Sequence, residues 1–170
     1  MKQNLEAWLV SEKDFPRDGS LQDKLAFCIR YAVLAPSTYN TQPWYFHVGK
    51  DHIDLYADRR YALAVIDPDD RQLTLSCGAA LYNLRLALNY FGYSEEVHIL
   101  PETENQDLLV RVQVRENENA GADSSSQNLF KAIPRRAFNR GPFKDKVPPP
   151  EDLETLRKSA ESEHAWLHVC

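Results

Sequence analysis

The stretch APSTYNTQPW, Ala35 to Trp44, separates a helical pattern from a strand pattern and carries more polar groups than a connection requires. Connections of about 2 to 8 residues usually need only a few turn formers. Here Ser37, Thr38, Asn40 and Gln42 offer hydrogen-bond donors and acceptors, and Pro36 and Pro43 stiffen the two ends. Pro36, Tyr39 and Trp44 add flat apolar surface. Two readings are open. The loop is a turn whose polar groups bond to one another and to solvent, or it receives a planar heteroaromatic ring with heteroatoms along its edge.

Upstream, Ser20 and Asp23 resemble a capping box and predict a helix from Leu21 to about Ala35. Leu21, Leu25, Cys28 and Ala32 form its apolar stripe, and Pro36 stops it. Downstream, Trp44–Val48 and Ile53–Tyr56 read as a hairpin joined across GKD. Asp67, Pro68, Asp69 and Asp70 then predict a helix start, with Asp67 as cap and acids at the positive dipole end. That helix is expected to run from Asp69 to Phe91, with Gly92 as its stop. Leu73, Cys77, Ala80, Leu84, Leu88 and Phe91 form one stripe; Leu75, Ala79, Tyr82, Leu86 and Tyr90 form a second. A helix apolar on both sides belongs at a domain centre or a subunit interface.

Strands follow at Val97–Leu100 and Leu108–Val114, then a polar loop over Glu116–Gln127 and a short helix near Asn128–Ile133. A proline-opened, acid-started helix is expected over Glu151–Ser162, and a last strand in AWLHVC from Ala165. Without regular βαβ alternation the class is α+β, a mixed or antiparallel sheet packed on a long buried central helix.

A chain of 170 residues with 43% hydrophobic and 26% charged residues is large enough for a core and has the composition of a soluble globular protein. Its net charge of −5 speaks against nucleic acid as a partner. No apolar run reaches the ~18 residues of a membrane span, and the start lacks a signal-peptide pattern. Trp8, Leu9 and Val10 there read as a docking segment. Cys28, Cys77 and Cys170 form no CxxC, and the histidines at 47, 52, 98, 164 and 168 are scattered. No metal site is expected, and the compartment expected is the cytoplasm.

There is no phosphate-cradling glycine motif and no nucleophile elbow, so no catalytic side chain is assigned and any reaction would rest on a cofactor. PRRAFNRGPF places Arg135, Arg136 and Arg140 close together in an acidic protein. Their forked guanidinium groups suit phosphate, although a solvated basic loop would have the same composition.

LAPSTYNTQPWYFHV closely resembles the APSxxNxQPWxF signature of the nitroreductase superfamily of FMN-dependent oxidoreductases. LSCGAALYNLRLALNYFGY resembles that family's long central helix, and the likeness covers about Leu21 to Ala160. In this family flavin sits between two packed units, one giving arginines to the phosphate and the other giving the loop to the ring. The resemblance implies that Pro36, Ser37, Thr38, Asn40 and Gln42 face the ring, with Ser37 and Asn40 touching it and Gln42 bracing the loop. It implies that Arg136 and Arg140, with Arg135 beside them, face the phosphate. NAD(P)H would reduce the flavin, which passes hydride to a nitroaromatic, quinone or similar small-molecule electron acceptor.

Only Arg17 precedes the first helix; the paired arginines lie ahead of the later one. That order resembles the tandem, Acg-like subgroup, in which two half-units are fused. The chain reaches Cys170 before any second PSxxNxQPW. Residues 1–125 are therefore expected to be a first half-unit and 126–170 the opening of a second, completed as a homodimer or pseudo-dimer. Two other readings stay open: a flavin-sequestering protein with little turnover, and a cofactor-free dimerising module.

Overall fold

Ser20 and Asp23 form the expected reciprocal box. Ser20 Oγ accepts from the Asp23 N–H at 3.2 Å, and Asp23 Oδ2 accepts from the Ser20 N–H at 2.9 Å. They open α1 (Leu21–Ala32), which stops short of Ala35 because the next residues form tight turns before Pro36. This computed structural model describes residues 6–117, 123–138, 141–142 and 144–169.

After the loop, β1 (Trp44–Val48) pairs antiparallel with β2 (His52–Ala57), Trp44 opposite Ala57 and Val48 opposite Ile53. The central helix α2 (Arg71–Tyr90) starts later than expected. Asp67 still caps it: its carboxylate accepts from the N–H groups of Gln72 at 3.0 Å and Leu73 at 2.9 Å, satisfying two otherwise orphaned donors. Gly92, at φ 89°, turns the chain straight into β3 (Tyr93–Ile99), which then pairs with β4 (Leu108–Glu116). β3 begins earlier than the expected Val97 because its polar Ser94, Glu95 and Glu96 conceal the alternation.

The four strands lie in the order β1-β2-β4-β3, every pair antiparallel, so the α+β class is observed. Alternate residues of β2 (Ile53, Leu55, Ala57) and β4 (Val110, Val112, Val114) are buried with Leu25 and Cys28 of α1 and Leu84 and Leu88 of α2 in one core. Each large side chain so enclosed contributes roughly 1.5–3 kcal/mol.

Only one of the two stripes on α2 is buried. Leu73, Cys77, Ala80, Leu84 and Leu88 are enclosed, whereas Leu75 is 64% exposed and Ala79, Tyr82, Leu86 and Tyr90 are half-buried. The expectation of burial on two faces is thus not met within a single chain.

α3 (Ser124–Ala132) packs on α2 through Phe130, which is 2% exposed and stacks on Tyr90 at a ring distance of 4.0 Å. The first compact unit runs to Arg136. The second unit, 137–170, contains α4 (Pro150–Ser162), with Pro150, Glu151 and Asp152 in its first turn as expected and no buried residue. Ala165–Val169 form no strand, contrary to expectation, because a strand requires a ladder partner. Among the described residues no helix is long and apolar enough to cross a membrane.

Candidate functional site

The loop after α1 is held in a costly conformation. Ser37 is extended, and Thr38–Asn40 make one tight helical turn. Tyr39, Asn40 and Gln42 have φ of 52°, 57° and 51°, the left-handed region that costs an L-residue roughly 1–2 kcal/mol.

The bonds that hold this shape are local. The Asn40 N–H donates to Ser37 O at 3.0 Å, the Thr41 N–H to Thr38 O at 3.1 Å, and the Gln42 N–H to Ser37 Oγ at 2.9 Å. Thr38 Oγ1 donates to Gln72 Oε1 at 2.9 Å, tying the loop to the first turn of α2. Pro43 O accepts from the Asp58 N–H at 3.0 Å and Cys77 Sγ at 3.3 Å.

Ser37 and Thr38 therefore brace the loop, and Gln42 adds to the bracing through its backbone. The side chains of Tyr39, Asn40 and Gln42 point to solvent, with Tyr39 73% exposed. Pro36 is half-buried at the exit from α1. Beside the loop, between Thr38, Thr41, Tyr61 and Gln72, a space of about 10 Å³ has room for about one water.

The arginine segment is positioned by α3. Asp123 caps that helix by accepting from the Ser126 N–H at 2.8 Å, and Phe130 and Ile133 anchor its inner side. The chain then turns through Ile133–Arg135. Arg136 Nη2 donates to Leu34 O at 3.1 Å, and its guanidinium lies 5.8 Å from the Trp8 ring centroid. Lys131, Arg135 and Arg136 line an open cleft of about 370 Å³ with Asn128 and Ala132. Among the described residues no carboxylate lines it, so three cations share one concave surface.

Of the arginines expected at a phosphate, Arg136 reaches the base of the Pro36–Gln42 loop, Arg135 lies exposed in the cleft, and Arg140 is outside the described residues. Asn128 and Lys131 escaped the sequence reading, although their helical spacing from Ala132 and Arg135 places them on one face. Gln72 had no sequence signal, because its role arises only where α2 starts against the loop. The two described cysteines are unsuited to chemistry: burial pushes the Cys28 and Cys77 thiols up to about 12.

No family model matches the chain. It is 36% identical over 109 residues to "Putative NAD(P)H nitroreductase Rv3131" of Mycobacterium tuberculosis, a match covering 64% of this chain and 31% of that protein. It is 32% identical over 80 residues to "Putative NAD(P)H nitroreductase acg" of the same organism, covering 46% of this chain and 24% of that protein. "Uncharacterized protein Rv3127", also from that organism, is 30% identical over 116 residues, covering 66% and 33%. The matches thus span about a third or less of the length of these relatives. A solved nitroreductase family protein from Streptococcus pneumoniae aligns with 80% of this chain and 90% of its own at 16% identity, with a TM-score of 0.43.

Proposed function

We propose that this chain, related by these similarities to the nitroreductase superfamily, supplies a flavin-facing loop and a phosphate cleft to an FMN-dependent oxidoreductase. It would act with NAD(P)H on a nitroaromatic, quinone or similar acceptor. The loop is the observation that carries this reading. A connection serving only to join α1 to β1 gains nothing from three left-handed L-residues in four positions. Such strain persists where surrounding bonds over-determine it, and it clusters at ligand contacts.

Asn40 and Gln42 offer amide donors and acceptors to a ring edge, and the Ser37 hydroxyl keeps its own proton to donate because it accepts from Gln42. Tyr39 offers a flat, exposed face. Lys131, Arg135 and Arg136 match a phosphate dianion in charge, and the arginines match it in forked geometry. When bound, FMN supplies the hydride chemistry that these side chains lack. The residues bind and orient it, and they set its hydrogen bonds. With room for only about one water beside the loop, a ring must lie across its exposed side and be enclosed by another surface. A second copy, or a second half-unit, would provide that surface against the half-exposed stripe of α2.

The test is titration of FMN into the purified chain, followed by flavin fluorescence, then anaerobic addition of NADPH or NADH. Saturable binding and bleaching of the visible band are expected. Binding without bleaching would make this a flavin-holding protein, and absence of binding would overturn the flavin reading itself.

A further inference from the structure

We propose that His47, His52 and Asp54 form a divalent transition-metal site, with Zn2+ as its ligand, on the face of the sheet opposite the core. This is independent of the flavin reading. His47 on β1 stands directly across from Asp54 on β2, and His52 lies two residues before Asp54 on the same face. One ligand atom from each side chain lies within 4.8 Å of the others, and His52 Nε2 is 3.7 Å from Asp54 Oδ2. In a formed tetrahedral site, with bonds of about 2.0–2.1 Å, neighbouring ligand atoms are roughly 3.4 Å apart. His47 is exposed, so its side chain can close the remaining gap by rotation.

The outer contacts are those that a metal site requires. His52 Nδ1 is 3.3 Å from Asp51 Oδ1, which favours the proton on Nδ1 and leaves the Nε2 lone pair facing Asp54. Asp54, 3% exposed, is oriented by Arg111, whose Nε donates to Oδ1 at 2.7 Å and Nη2 to Oδ2 at 2.9 Å. A hydrogen-bonded carboxylate retains lone pairs for a metal. Arg111 also donates to Glu102 at 3.3 Å, so two carboxylates flank one guanidinium and, with Asp51 beside His52, the local charge favours a cation. Gly49 makes room for the imidazole, because a Cβ there would lie 2.2 Å from His52 Cε1. Two imidazoles and one carboxylate select a first-row transition metal over Ca2+ or Mg2+. The site would clip the edge strand β1 to β2.

Calorimetric titration of Zn2+ into the whole chain, without flavin, tests the proposal. One Zn2+ per chain is expected. His47→Ala and His52→Ala should each weaken binding at least tenfold, and Asp51→Asn by about 10–100-fold. His98→Ala, on the same sheet face, should leave binding unchanged. Circular dichroism and melting in EDTA should match wild type for the histidine variants, separating ligand loss from unfolding. Absence of saturable binding overturns the site, as does binding indifferent to His47→Ala and His52→Ala or equally sensitive to His98→Ala.

Discussion

Arg136 Nη2 donates to the backbone carbonyl of Leu34 at 3.1 Å, joining residues 102 positions apart in sequence. The bond fastens the segment after α3 to the last turn leading out of α1. It also places a guanidinium at the base of the Pro36–Gln42 loop.

Arg136→Glu should weaken FMN binding by one to two decades, since a charge-assisted hydrogen bond is worth about 1.5–3 kcal/mol. Riboflavin, which lacks the phosphate, should lose much less. Fluorescence titration with the two ligands makes the comparison within one variant, so a general loss of stability cancels. Equal losses would remove Arg136 from the phosphate.

Tyr39→Gly should leave stability unchanged or raise it by up to ~1 kcal/mol, because glycine takes positive φ without a Cβ penalty. Tyr39→Val should lower it by more than ~1 kcal/mol, since a β-branched residue fits that region worst. Urea midpoints of the two variants decide. A valine variant as stable as wild type would mean that the loop relaxes away from the left-handed geometry.

Leu84→Ala should cost about 2–5 kcal/mol, as expected for a wholly buried leucine, and Leu84→Asp should prevent cooperative folding. Leu75→Asp, at a position 64% exposed, should leave the folded chain intact. If it shifts the sedimentation profile from dimer to monomer, the outer stripe of α2 is the contact between copies. A wild-type chain that sediments as a monomer places that contact elsewhere.

The thiols of Cys28 and Cys77, held up near pH 12 by burial, should resist Ellman's reagent at pH 8 in the native protein. Both should react on unfolding. A Cys170→Ser background confines the signal to these two residues. Rapid native reaction at either would show that the core opens around α1 and α2.

Asp23 is held below the usual carboxylate range by the side-chain hydrogen bond from Ser20 and then by the Ser20 backbone N–H. A depressed carboxyl favours the fold above its ordinary value of about 3.9, and the benefit is lost as pH falls through the lower folded value. NMR titration should place the Asp23 midpoint below the ordinary carboxylate value, and Ser20→Ala should move it upward. An unmoved midpoint would mean that the capping box is not formed in solution.

Local patterns determined much of this protein. The Ser20–Asp23 box, the Trp44–Val48 strand, the buried stripe of α2 and the Pro150 helix start were legible because each depends on residues a few positions apart. The loop Pro36–Gln42 was conspicuous for the same reason, since its bracing bonds are nearly all internal. Tertiary structure decided the rest. Strand pairing set His47 beside Asp54, although the intervening hairpin hides that relation in the linear spacing. The start of α2 against the loop gave Thr38 its partner in Gln72, and the docking of Phe130 carried Arg136 to Leu34. In each case the partner is selected by packing across the core or by strand register. Side-chain type and sequence interval do not encode such a choice one residue at a time, because it depends on where every neighbouring element has already come to rest.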